Sequence, residues 1–247
     1  MNYREHCYKY HVSGHWQFIH SLSRKEYDLY AKVSKKRFRN ILPKNKTAKI
    51  IDIACGAGHF LYFLQKEGYL NTQGIDLSWE QLDVAKKMGV KNLKQANLFE
   101  YLSKYSQCFD MVIANDIIEH LKKDEVFQFL DLIYQSLKPG GLFLVSTSNA
   151  QSLFGSASVF CDFTHEQGFT PESLYQVLRV FNFKDVKVFG ERPIVHDFRS
   201  ALRAGLWAGF NNMLKFYIAI ERGTGRGLWK HHNILEPRIF ALARKNQ

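Results

Sequence analysis

Ile50-Ile51-Asp52-Ile53-Ala54-Cys55-Gly56-Ala57-Gly58-His59-Phe60 is the stretch that decides the fold. Four apolar or β-branched positions around one acid read as a short buried strand. Two glycines then turn the chain, and His59-Phe60-Leu61-Tyr62-Phe63-Leu64 starts a helical pattern. Glycine lets backbone approach a ligand where a Cβ would collide. A helix N-terminus favours negative charge, so the turn suits a carboxylate or phosphate. A dinucleotide fingerprint needs a third glycine, and that position is Leu61. Asp52, four residues before Gly56, would repel a pyrophosphate and welcome an amino acid's ammonium group.

Outward from this turn, strand and helix patterns alternate. KIIDIA (49–54) is followed by a helix over 59–69 and a second strand in TQGIDLS (72–78). A helix over 79–90 leads to a short third strand within 92–99, and FDMVIAN (109–115) is a fourth. A helix from Lys123 to Leu137 stops at Pro139-Gly140-Gly141, and GLFLVSTS (141–148) is a fifth strand. Thr170, Pro171 and Glu172 start a helix over 170–183. VKVFGER (186–192) and RIFALARK (238–245) are the last two strands, with an insertion at 193–237 between them. The pattern predicts an α/β fold: a doubly wound, seven-stranded, mostly parallel sheet. Residues 1–48 read as an N-terminal helical cap, and 49–247 as one domain that includes the helical insertion.

The chain has 247 residues, 46% of them hydrophobic, enough for one α/β domain with additions. No uninterrupted apolar run reaches membrane-spanning length. The polar N-terminus is not read as a secretory signal, and four cysteines without metal spacing read as free thiols in a reducing cytoplasm. The net charge of +11 is uneven: residues 1–49 carry +9 (12 minus 3) and 196–247 carry +6 (9 minus 3). Basic flanks suit an anionic partner such as phospholipid, a phosphate-bearing substrate or nucleic acid, or else a solvated face.

Asp76, at the end of the second strand, can accept protons from ribose hydroxyls, or else serve as an N-cap or turn acid. Asn97, with Leu98, follows the third strand, where an amide can read an adenine edge; taken alone, Asn97 reads as a turn residue. The segments DIACGAG (52–58), GIDLS (74–78), FDMVIANDIIEHL (109–121) and LKPGGLFLVSTSN (137–149) resemble successive motifs of class I S-adenosylmethionine (SAM)-dependent methyltransferases, over about residues 49–190. The resemblance implies SAM as cofactor. It implies Asp52, Ala54, Gly56 and Gly58 around the methionine part, Asp76 and Leu77 at the ribose, Asn97 and Leu98 at the adenine, and Asn115 on the sulfonium side. Asn97 stands where the family commonly has Asp, and Thr147-Ser148-Asn149 replaces the usual T-P-N.

Two clusters fall where the acceptor should lie. In Asp162-Phe163-Thr164-His165-Glu166, His165 is a candidate general base that either acid could orient; its alternative is a loop histidine bonded to backbone. Asp116, Glu119 and His120 would share a face on one helical turn. This pattern is similar to one associated with a metal in quinone-biosynthesis O-methyltransferases, but Glu-His-Leu also occurs in relatives without metal, and no metal is assigned. Asp116 and His120 join His165 as catalytic candidates.

The 162–174 loop and the insertion resemble methyltransferases of bacterial surface polysaccharides and lipid-linked glycans, which implies a sugar hydroxyl as acceptor. A quinone or small-phenol O-methyltransferase is the alternative, and a non-catalytic SAM-binding regulatory module the alternative of another class. A nucleic-acid methyltransferase would be expected to carry an Asn/Asp-Pro-Pro-aromatic motif or a catalytic cysteine context, and neither is found. Within 196–236, Leu202, Leu206, Trp207, Phe210, Met213, Leu214, Tyr217 and Ile220 recur at mostly helical spacing among Arg199, Arg203, Lys215 and Arg222. That helix can lie in a membrane interface at the inner face of the membrane, pack on the sheet, or contact a second subunit in a homodimer.

Overall fold

The computed structural model describes residues 3–10, 23–223 and 231–247. The cap reading over 11–22 and the insertion reading over 224–230 lie outside the described residues. Seven strands form one sheet: β1 (Ile50–Ile53), β2 (Thr72–Asp76), β3 (Leu93–Gln95), β4 (Phe109–Asn115), β5 (Leu137–Ser148), β6 (Lys184–Gly190) and β7 (Arg238–Arg244). Their order is β3-β2-β1-β4-β5-β7-β6. The first five are mutually parallel, and β7 runs antiparallel to both β5 and β6. This is the doubly wound sheet expected, with reversal at β1/β4.

Side chains alternate across the strands and divide the core in two. Ile51, Ile53, Val112, Ala114, Phe143 and Val145 face one cluster. That cluster is covered by α6 (Lys123–Ser136) and α8 (Pro171–Val180). Ile50, Met111, Ile113, Leu144 and Phe240 face the other. It is covered by α2 (Arg24–Phe38), α3 (His59–Lys66) and α4 (Trp79–Lys87). Ser23 starts α2 with a capping box to Glu26, and the helix buries Tyr27 and Phe38 completely or nearly so. Each such side chain contributes about 1.5–3 kcal/mol of burial, so α2 is part of the core on this face.

Some boundaries differ from the sequence reading. The fifth strand begins at Leu137, ahead of Pro139-Gly140-Gly141, because an irregular register between Phe109 and Met111 lets the chain pair before the turn. The residues around Ile118–His120 make a single 3-10 turn. The short helices α1 (Tyr3–Lys9), α5 (Leu98–Leu102) and α7 (Gly155–Phe160) carry too little periodic sequence to be read in advance. The insertion holds α9 (Phe198–Arg222), capped by Asp197. Among the described residues, no helix is long and apolar enough to cross a membrane.

Candidate active site

The carboxyl ends of β1, β2 and β4 converge on one edge of the sheet. Immediately beyond β1 and β4 stand Ala54 (φ 54°) and Asp116 (φ 50°), two non-glycine residues in the left-handed region. Such strain concentrates at functional sites. Gly56 (φ 53°) and Gly58 (φ 75°) complete the turn into α3, whose first residue follows Gly58 with no side-chain cap. The first N–H groups of this helix are therefore left to a ligand.

Asp76 ties the turn down. Its Oδ2 accepts the Gly56 N–H at 2.8 Å, and its Oδ1 accepts the Ser78 N–H at 2.8 Å. Asp52 lies below, 2% exposed, with Oδ1 buried and lacking a hydrogen-bond partner. Burial first, and the Asp76 charge second, push its carboxyl well above the usual range. A buried, unsatisfied acceptor is costly and calls for a donor; an α-ammonium group supplies both the donor and the charge. The residues present fit the amino-acid end of SAM on that ground.

Leu61 is fully buried, and a Cβ at Gly74 of β2 would meet its Cδ1 at 2.2 Å. The close helix–strand approach that a third glycine would allow is thus made by a glycine on the strand. Tyr27 and Tyr30 of α2 press on the turn from outside. Tyr27 donates its hydroxyl to the Ala57 carbonyl at 2.6 Å and stacks on His59 at 4.0 Å. Tyr30 lies 5.5 Å from His59, and its hydroxyl is pushed up to about 12 by burial. The sequence reading gave neither tyrosine a role, because nothing in a helical pattern says what the helix covers.

Leu77 is exposed, and its carbonyl accepts from Gln95. Asn97 is the N-cap of α5: its Oδ1 accepts from the N–H groups of Phe99 (2.9 Å) and Glu100 (3.4 Å). The cap leaves the Asn97 amide NH2 and the Leu98 backbone at that edge. Asn115 ends β4, and its Oδ1 accepts from the Ser146 hydroxyl at 2.9 Å.

The expected face of Asp116, Glu119 and His120 does not form. Asp116 stands before the 3-10 turn and is gripped by Arg238, with Nε to Oδ1 at 3.0 Å and Nη2 to Oδ2 at 2.5 Å. Arg238 also donates to Ser146 (2.8 Å) and lies 3.9 Å from Glu191. It enters from β7, too far along the chain for any local spacing to reveal it.

His165 takes the place of Asp116. The rings of His120 and His165 meet edge to face at 4.6 Å. One ligand atom from each of Glu119, His120 and His165 falls within 4.8 Å of the others. His165 Nδ1 lies 2.6 Å from the Val159 carbonyl, an acceptor only, so Nδ1 carries the proton and Nε2 the lone pair. His120 Nδ1 lies 2.8 Å from the Thr164 hydroxyl, which donates to Asp162 at 2.7 Å. That hydroxyl therefore accepts from His120, and the lone pair again sits on Nε2. No carboxylate bonds the His165 ring; of the two alternatives the sequence left open, the ring takes the backbone partner. Asp162 steadies His120 through Thr164, while Glu166 takes Tyr3 and Arg4.

Glu119 is 2% exposed with Oε2 unpartnered. Burial, then the Asp116 charge, push its carboxyl up to about 8. The donor set of one carboxylate oxygen and two imidazole nitrogens fits a divalent ion, which would have to displace the Glu119 proton near neutral pH. α1 lies alongside. Arg4 bridges Glu125 (2.7 Å) and Glu166 (2.6 Å), and the Tyr8 ring lies 6.1 Å from His120. Leu153, Phe154, Phe160 and Phe163 stand exposed around the same loop.

A parallel sheet reversing at β1/β4, with an acid-then-glycine turn and a second acid at β2, defines the α/β methyltransferase class. A methyltransferase-domain family model matches residues 24–188. The chain belongs to that family. A SAM-dependent methyltransferase from Archaeoglobus fulgidus superposes with a TM-score of 0.64 at 24% identity, covering 87% of this chain and 94% of that one. Phosphoethanolamine N-methyltransferase 2 of Haemonchus contortus, solved with SAM, gives a TM-score of 0.58 at 20% identity over 89% of this chain and 53% of that one. The fold is that of SAM-dependent methyltransferases.

Curated relatives include the mitochondrial ubiquinone biosynthesis O-methyltransferase of Mus musculus, 29% identical over 53% of this chain and 40% of that protein. The ubiquinone biosynthesis O-methyltransferase of Rickettsia canadensis is 33% identical over 41% of this chain and 43% of that protein. The chain thus spans less than half the length of these relatives.

Proposed function

We propose that the chain is a SAM-dependent O-methyltransferase acting on a phenolic hydroxyl of a quinone-type small molecule. In this reading residues 1–48 cap a site built by residues 49–247. Asp52 and the turn through Ala54, Gly56 and Gly58 hold the methionine part of SAM, and Asp76 with Leu77 the ribose. Asn97 and Leu98 border the adenine, and Asn115 faces the sulfonium.

The observation that carries the reading is the pair of imidazoles at 4.6 Å, each with Nδ1 committed and its lone pair on Nε2. Bound SAM supplies a methyl group on a positive sulfur. The acceptor oxygen forms the new C–O bond as the C–S bond breaks, leaving S-adenosylhomocysteine. His165 Nε2 takes the hydroxyl proton, and His120 steadies the site from the Asp162–Thr164 side. A positioned base is worth about 10²–10⁴-fold, and alignment of the reacting atoms several kcal/mol more. A regulatory module would have no use for this pair.

The rim of Leu153, Phe154, Phe160 and Phe163 suits an aryl acceptor better than a sugar. The named relatives likewise favour the phenol over the glycan hydroxyl that the 162–174 loop suggested. The reading keeps the enzyme in the cytoplasm, at the inner face of the membrane. The helix between β6 and β7 bears the choice between lipid and a second copy. Release of S-adenosylhomocysteine on adding a dihydroxybenzoate tests the acceptor class. A response to sugars or lipid-linked glycans with none to phenols would remove this reading.

A further inference from the structure

α9 has two apolar faces. Trp207, Leu214 and Ile218 are half-buried and Asn211 is buried, so that side is turned to the protein. Phe198, Leu202, Leu206, Met213, Phe216 and Ile220 are all more than half exposed, from 57% to 83%. At 100° per residue these six fall within an arc of about 80°. They run about 33 Å along the helix at 1.5 Å per residue. The run of apolar residues read from the sequence therefore divides, with Trp207 and Leu214 half-buried, Met213 and Ile220 outward, and Leu202 and Leu206 more than half exposed beside a groove. Arg199 borders the outward stripe, Arg203 and Glu221 lie further round, and no acid lies on the stripe.

Single exposed apolar residues need no explanation, but a contiguous stripe of this length does. We propose that α9 is an interfacial helix that lays this stripe into the surface of an anionic lipid bilayer. Charge selects the partner. The helix carries +3 (Arg199, Arg203, Lys215 and Arg222 against Glu221, 4 minus 1) on a chain of +11. Apposing the stripes of two copies would bring two helices of net +3 together, whereas anionic headgroups reverse the sign. The helix lies on the membrane, since it is not apolar enough to cross it.

The connection from β6 to β7 leaves the sheet where the parallel strands end, on the side of the methyl-transfer site. Phe198, Leu202 and Leu206 of the stripe, with Trp207, also line an open groove against Glu191, Pro193 and Pro237, so the stripe is fully turned from the protein only at Met213, Phe216 and Ile220. Pro237 precedes Arg238, which grips Asp116. A bilayer under α9 therefore stands beside the acceptor side, and this last step alone rests on the phenolic reading.

The test is co-sedimentation of the full chain with phosphatidylcholine vesicles, with and without phosphatidylglycerol, across a salt series. Binding is expected to anionic vesicles only, and to weaken as salt shortens the screening length to about 8 Å near physiological strength. Leu206→Glu with Phe216→Glu should weaken partitioning at least about tenfold, and Arg199→Glu with Arg203→Glu should flatten the salt dependence. SAM affinity, read by calorimetry, should be unchanged in both variants and reports that they are folded. Absence of binding at low salt, equal binding to neutral vesicles, or binding indifferent to the stripe variants overturns the proposal. So does a dimer in light scattering that Leu206→Glu abolishes while vesicles remain unbound, which would assign the stripe to a second copy. None of these readouts uses turnover, so failure here is separate from failure of the acceptor assignment.

Discussion

Asp76 accepts the backbone N–H of Gly56 at 2.8 Å, so the acid at the end of β2 holds the glycine turn after β1 in place. The same carboxylate also accepts the Ser78 N–H, and in the proposed site it is the group offered to the ribose. Its removal should act on fold and ligand together.

Asp76→Ala is expected to lower SAM affinity by about 10–100-fold, the worth of one hydrogen bond to a charged group at about 1.5–3 kcal/mol. Asp76→Asn keeps one acceptor oxygen and should lose less of the melting temperature. Calorimetry on wild type should give SAM binding without comparable NAD binding. NAD binding tighter than SAM would contradict the assignment made from Asp52 and Leu61.

Asp52 gives SAM binding a pH dependence of known sign. Its carboxyl is held well above the usual range in the free protein. An ammonium beside it favours the ionised form, so binding releases a proton and affinity rises with pH until the free-state value is passed. In the free protein the sign is opposite for stability. The native state keeps a proton that the unfolded chain loses near pH 4, so stability falls as pH rises through that window. Titrations in buffers of different ionisation enthalpy should show proton release, and Asp52→Asn should abolish it. A wild-type affinity that does not rise with pH above the ordinary carboxylate range would contradict this placement.

His165→Ala should lower kcat about 10²-fold or more and leave SAM affinity alone. Thr164→Val should have a smaller effect, since it removes the acceptor of His120 Nδ1 and leaves His165 on Val159. Activity of His165→Ala within about threefold of wild type would exclude it as the base.

Turnover should survive EDTA. Burial, then the Asp116 charge, raise the Glu119 carboxyl, which favours its protonated form and weakens the three-donor set as a metal site. Loss of activity on chelation, restored by magnesium or zinc, would recast His120 and His165 as ligands.

The sheet was legible because its signals are local. Ile50 to Gly58, Gly74 to Asp76 and Phe109 to Asn115 each carry a strand and its turn within a dozen residues. Leu61 read as a missing glycine, yet the close packing it seemed to forbid is met by Gly74 across the helix–strand contact. His165 stands out as a histidine among acids, and of its two readings the backbone-bonded one holds for the ring, on the Val159 carbonyl that no side-chain spacing singles out. Asp116 was grouped with His120 by helical spacing that a 3-10 turn does not keep, while its partner Arg238 lies 122 residues away. Residues meeting across the fold, such as Tyr27 on Ala57, carry no sequence pattern at all.

The central claim is methyl transfer to a phenolic oxygen with His165 as the proton acceptor. Incubation with methyl-deuterated SAM and a dihydroxybenzoate, followed by mass spectrometry and NMR of the product, reads it directly. The account predicts the label on a phenolic oxygen, formed by wild type and lost in His165→Ala. Label on a sugar hydroxyl but on no phenol, or equal labelling of the phenol by both proteins, would contradict it.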